Sequence, residues 1–100
     1  MNKVVISRQD NEFVSISGDL TFSGIDKKTV RSFDFLDSGQ AISIDLKAVG
    51  KTDSAGLALI VEWIKYANRH QKVLKFLNIP RQLMVLAKLS GLDQTEYFST

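Results

Sequence analysis

Alternating apolar and polar positions predict four short β-strands in this chain. Ala41 to Leu46 alternates strictly, with Ile42, Ile44 and Leu46 on one face. A period of two residues is expected where one face of a strand is buried and the other meets solvent. The other predicted strands are Lys3 to Ser7, Glu12 to Ser17 and Val73 to Leu77.

Three helices are predicted around these strands. The clearest runs from about Ala55 to Arg69, where five apolar residues follow helical spacing and should face the sheet: Leu57, Ile60, Val61, Ile64 and Ala67. A weaker pattern predicts a first helix from about Ser23 to Leu36. The third begins near Pro80, whose fixed φ suits a first helical turn, and ends at Gly91.

The order of these elements indicates an α/β fold. The later strands are separated by helices long enough to form crossover connections, which bring parallel strands into one sheet. The two N-terminal strands are close enough in sequence to form a hairpin across Asp10 and Asn11. We therefore predict a mixed sheet of four strands, or five if one more forms near the C-terminus. Helices pack on this sheet, and residues 1–100 form a single domain.

Composition narrows the class of protein. Hydrophobic residues make up 44% of the 100 residues, which is typical of a globular domain. The net charge is +2 and the cationic residues are spread along the chain, so no nucleic-acid partner is predicted. The chain has no cysteine, and its apolar stretches are too short for a signal peptide or a membrane span. These features favour a cytoplasmic protein without direct membrane insertion.

No catalytic residue, metal or cofactor is predicted, because the sequence offers no suitable group of side chains. Gly50-Lys51-Thr52 ends like a phosphate-binding loop, but Asp45 replaces the glycine required five residues earlier. The only histidine, His70, lies at the predicted end of a helix, where a cation interacts favourably with the dipole. Ser54 lacks the Gly-x-Ser-x-Gly context of a hydrolase nucleophile.

The stretch Asp53-Ser54-Ala55-Gly56 follows a strand and opens the clearest helix. Asp53 or Ser54 is expected to cap this helix by accepting hydrogen bonds from free amides of its first turn. A hydroxyl at a helix N-terminus is also exposed and surrounded by donors that favour negative charge. Ser54 is therefore a candidate site of phosphorylation or docking.

A second feature of the same helix is an apolar stripe beside its core face. Leu59, Trp63 and Tyr66 are spaced i, i+4 and i+7. One interpretation is a wide core face that the first helix covers. The other is an exposed docking surface, since Trp and Tyr are frequent anchors in protein interfaces.

With these segments in place, most of the chain resembles the STAS family, the sulfate transporter and anti-sigma factor antagonist domains. The Asp-Ser/Thr-x-Gly-Leu element after an Ile-Asp-Leu strand is the most specific part of the resemblance. The matching segments are Ile16-Ser17-Gly18-Asp19-Leu20, Ile44-Asp45-Leu46, Val49, Thr52 to Leu59 and Leu86 to Leu92. The resemblance implies the STAS fold and a protein that acts by docking on a partner.

Two segments, Gly56 to Leu59 and Leu86 to Leu89, resemble in particular the STAS subunits of Mla-type phospholipid-transport ABC complexes. That resemblance implies a non-catalytic subunit that binds and regulates an MlaF-like ATPase. It is then linked to the membrane permease indirectly and lies at the cytoplasmic side of the inner membrane. The expected partner-binding residues are Thr52, Asp53, Ser54, Leu59, Trp63 and Tyr66.

One departure from the family pattern separates two functions. In anti-sigma factor antagonists of this family, the phosphorylated serine usually stands immediately before the glycine, and that position is Ala55 here. Alanine cannot accept a phosphate, which weakens the alternative of an antagonist regulated by serine phosphorylation. Ser54 retains a hydroxyl one position earlier, so the alternative stays open.

Overall fold

A four-stranded mixed sheet organises the fold in this computed structural model, which describes residues 2–37 and 39–98. The sheet order is β1-β2-β3-β4; β1 and β2 are antiparallel, and both other pairs are parallel. The strands are β1 (Val5–Asp10), β2 (Phe13–Leu20), β3 (Ala41–Thr52) and β4 (Val73–Leu77). This confirms the predicted mixed α/β sheet. Within the described residues there is no fifth strand, and a 3-10 turn at Leu92–Gln94 lies where it was expected.

Two of the predicted helices form and one is much shorter than expected. They are α1 (Lys27–Val30), α2 (Ser54–Arg69) and α3 (Arg81–Leu89). The first helix was predicted to run from Ser23 to Leu36, but α1 ends after one turn and is followed by a 3-10 turn at Asp34–Leu36. The β-branched and aromatic residues of this segment are weak helix formers, and their contacts with α2 favour the irregular course.

The buried core lies on one side of the sheet. The buried side chains of β2, β3 and β4 lie at alternate positions on this side, and they cluster with residues of α2 and α3. These strand residues are Val14, Ile16, Ile42, Ile44, Leu46, Leu74 and Phe76. Ser15, Ser17, Ser43 and Asp45 lie half-buried on the opposite face. The sheet is therefore one-sided, and the partly exposed face is polar.

The core face of α2 is shifted around the helix relative to the predicted face. Leu57, Ile60 and Ala67 are buried as predicted, whereas Val61 and Ile64 are only half-buried. Leu59 and Trp63 are buried instead. In α3, Leu83 and Ala87 are buried, and Leu86 is half-buried. None of the helices in the described part of the chain is long and apolar enough to cross a bilayer.

Candidate docking site

The carboxyl ends of β2 and β3 meet at one edge of the sheet, where α2 begins. The parallel register pairs Leu20 with Thr52, the last residues of the two strands. Asp53 continues this pairing by donating its backbone N–H to the Leu20 carbonyl oxygen at 3.0 Å. The predicted residues Thr52, Asp53 and Ser54 therefore lie at the exit of two neighbouring strands.

Asp53 connects three chain segments at this edge. Its Oδ1 accepts hydrogen bonds from the amides of Ala55 and Gly56, at 2.9 and 3.3 Å, which confirms the predicted helix cap. Its Oδ2 accepts from the amide of Phe22 at 3.1 Å. The carboxylate thereby fixes the loop after β2 against the first turn of α2.

A close backbone approach explains Gly56 of the Asp-Ser-Ala-Gly stretch. A Cβ atom at this position would lie 2.1 Å from the carbonyl oxygen of Leu20, far inside van der Waals contact. Gly18, at a φ of +89°, likewise packs against the backbone of Lys3. Between them, Asp19 accepts the amide of Lys51 at 2.9 Å. Glycine at position 56 is therefore needed for packing of α2 against β2, whatever the function of the site.

The residues between the end of β3 and the first turn of α2 differ in accessibility. Ser54 is exposed, and Ala55 is half-buried beside it. Thr52 is buried at 6% exposure, and its hydroxyl has no hydrogen-bond partner among the described residues. The structure therefore places the Thr52 side chain inside the fold and not at the surface, and its role in partner binding stays a prediction.

Two of the three residues in the apolar stripe of α2 are buried, so they do not form an exposed surface. Trp63 is completely buried, and its ring contacts Phe35 edge to face at a centroid distance of 5.2 Å. Leu59 is buried at 4% exposure. The interpretation of a wide core face is the correct one, although the 3-10 turn at Asp34–Leu36 provides the cover in place of a long first helix.

Tyr66 is half-buried and belongs to a separate surface cluster. Its ring stacks on Phe33 at 4.7 Å, and its hydroxyl donates to the Asp37 carboxylate at 2.8 Å. This hydrogen bond favours the neutral phenol and raises the pKa of Tyr66. Tyr66 lies twelve positions after Ser54 along α2, or about 18 Å at 1.5 Å per residue, so the structure does not bring them together.

An apolar groove beside Ser54 is the feature that the sequence did not predict. It has a volume of about 580 Å³ and lies between α1 and the first half of α2. Its apolar lining comes from Phe22, Ile25, Val30, Ala55, Ala58 and Leu59. Phe22 was the available signal, because it is a lone aromatic residue within the polar loop Thr21-Phe22-Ser23-Gly24.

Comparisons with known proteins agree with this architecture. The family model described as Mlab, STAS domain, matches residues 4–98. Among solved structures, the anti-sigma factor antagonist SpoIIAA in its unphosphorylated form matches with a TM-score of 0.64 and 17% identity, covering 89% of this chain and 81% of that chain. At this identity the match shows the fold alone, and a comparison with curated proteins finds no match. The chain therefore belongs to the STAS family, in the branch described as Mlab, STAS domain.

Proposed function

We propose that this chain is a non-catalytic, MlaB-like subunit that binds and regulates the ATPase of a phospholipid ABC transporter. It contacts the permease only through that ATPase and stays at the cytoplasmic side of the inner membrane. The observation that carries the proposal is Ala55, which places a methyl group at the usual acceptor position beside Gly56. A permanent contact surface fits this position better than a phosphate switch does.

The arrangement around Asp53 supports a binding role for this edge. Its carboxylate oxygens accept the amides of Phe22, Ala55 and Gly56, so Asp53 holds the surface in one conformation. Ser54 is presented outward on this rigid support. Residues locked by hydrogen bonds lose little freedom on binding, which favours affinity.

The test is co-purification with the ATPase subunit of an Mla-type transporter, in which the ATPase carries the affinity tag. We expect the wild-type chain to co-purify and Ser54→Asp to be lost from the complex, because a charge is introduced where the partner approaches. Ser54→Thr is the matched neutral control and should bind. The melting temperature of Ser54→Asp should not fall, since a negative charge at a helix N-terminus is favourable.

The alternative function is an anti-sigma factor antagonist, favoured by the exposed hydroxyl of Ser54 at the start of a long helix. Incubation with an anti-sigma kinase and ATP, followed by intact-mass measurement, separates the two functions. Stoichiometric addition of one phosphate at Ser54, together with no binding to the ATPase, would replace the transporter proposal with this one.

A further inference from the structure

The groove between α1 and α2 gathers exposed apolar side chains in one concave place. Phe22 is 82% exposed and Val30 is 48% exposed at its mouth, while the buried Leu59 belongs to its lining. Its volume of about 580 Å³ lies within the range of roughly 300–1,000 Å³ that is usual for binding pockets. Apolar residues collected in this way mark an interaction site, whereas scattered ones do not.

The backbone around the groove determines which kind of segment it accommodates. Its walls come from the loop before α1, from α1 itself and from the first half of α2. No β-strand residue in the described part of the chain lines the groove, so these walls offer no strand edge to an extended peptide. An amphipathic helix needs no such edge, because it binds through side chains spaced i, i+3 or i+4, and i+7.

The charges around the groove are unequal on its two sides. Asp26 is engaged at the start of α1, where its carboxylate accepts from the amide and hydroxyl of Thr29 at 2.8 and 2.9 Å. On α2, Glu62 pairs with Lys65 at 3.5 Å. Lys27 and Arg31 also line the groove, and neither forms an ion pair within residues 2–37 and 39–98. On the α1 side, the two cations Lys27 and Arg31 outnumber the single carboxylate of Asp26, so the net charge there is positive.

We propose that the groove binds an amphipathic helix of the transporter's ATPase. The apolar face of that helix packs on Phe22, Val30 and the exposed Ala58, and an acidic residue on its flank meets Lys27 and Arg31. This inference rests on the proposed function and specifies its contact. It also gives a physical reason to expect weaker binding of Ser54→Asp, since the neighbouring Ala55 is part of the groove.

Two pairs of matched substitutions test the apolar contact. Phe22→Ser and Val30→Ser alter the groove, while Leu89→Ser and Val85→Ser alter α3 at residues that are 80% and 52% exposed. We expect each groove variant to weaken binding to the purified ATPase by about tenfold or more, as for an interface anchor. The α3 variants should bind within twofold of wild type, and all four should keep the wild-type melting temperature because they lie at the surface.

The charged flank is tested separately by charge reversal. Arg31→Glu should slow association with the ATPase, and its rate should lose much of the salt dependence seen for wild type, because it removes attraction to an acidic flank. Lys88→Glu on α3 makes the same change in net charge away from the groove. It is expected to leave the association rate close to that of wild type.

The outcomes separate this inference from the proposed function. If the wild-type chain binds the ATPase and the groove variants bind equally well, the groove inference is overturned and the proposed function stands. If the wild-type chain does not bind the ATPase, both are overturned. If sedimentation shows a wild-type dimer that Phe22→Ser converts to a monomer, a second copy of this chain occupies the groove and the inference is again wrong.

Discussion

At the scale of single residues, Asp53 joins the local and the long-range structure of the site. The cap on α2 was predictable, because Asp-Ser-Ala-Gly precedes an apolar pattern of helical period. The bond to Phe22 was not predictable, since the two residues are 31 positions apart and meet only through the parallel register of β2 and β3. The burial of the Thr52 side chain was not predictable either, because it also depends on the pairing of β2 with β3.

Substitution of Asp53 separates these two contributions. We expect Asp53→Ala to lower the free energy of unfolding by about 2 kcal/mol, because it removes both the cap and the bond to Phe22. Asp53→Ser retains a capping oxygen but does not reach Phe22, so about half of that loss should remain. Urea denaturation of the three proteins measures the difference. An equal loss for Ala and Ser would show that the side-chain cap contributes nothing.

At the scale of elements, α2 is held between the sheet and the aromatic segment that follows α1. The extent of α2 was predicted well because its pattern is long and periodic. Its two apolar stripes could not be assigned to core or surface from the sequence, since both have helical spacing. The assignment depends on Phe33 and Phe35, which cover Tyr66 and Trp63 from a segment that the weak pattern of residues 23–36 wrongly predicts as helix.

Trp63 provides the test of this packing. Trp63→Ala should lower the free energy of unfolding by about 3–5 kcal/mol, because a fully buried ring leaves a large cavity against Phe35. Trp63→Phe should lose less than half as much, since it keeps an aromatic contact and gives up no protein hydrogen bond among the described residues. Thermal and urea unfolding give both values. Retention of full stability by Trp63→Ala would restore the exposed-stripe interpretation.

At the scale of the whole molecule, a polar link joins β3 to the end of the edge strand β4 on the open face of the sheet. Asp45 of β3 accepts from the side chain of Asn78, just after β4, at 2.9 Å, and from the amide of Lys47 at 2.9 Å. These hydrogen bonds, with that from Asn78 the stronger influence, lower the pKa of Asp45. Folding therefore favours the ionised form of Asp45, so part of the stability of the molecule depends on pH.

This link predicts a defined change with acid. A carboxyl with a lowered pKa stabilises the fold above its unfolded pKa of about 3.9, and that contribution is lost as the pH falls through the folded value. Asn78→Gly removes the amide while tolerating the φ of +56° at this position. The free energy of unfolding of this variant should fall less steeply than that of wild type below about pH 4. NMR titration of the Asp45 carboxyl should show a higher pKa in the variant, and an unchanged pKa would contradict the assignment.

The parallel pairing of β2 and β3 also has a consequence for the order of folding. β1 and β2 are separated by a tight turn, so their hairpin closes a very small loop. β2 and β3 can pair only after the chain closes the loop formed by residues 21–40. The conformational entropy of that loop is lost before any parallel hydrogen bond is gained. The contacts of Leu20 with Thr52, Asp53 and Gly56 all belong to this late step. On the proposed function, a partner that recognises this edge binds only chains in which the parallel pairing of β2 and β3 has already formed.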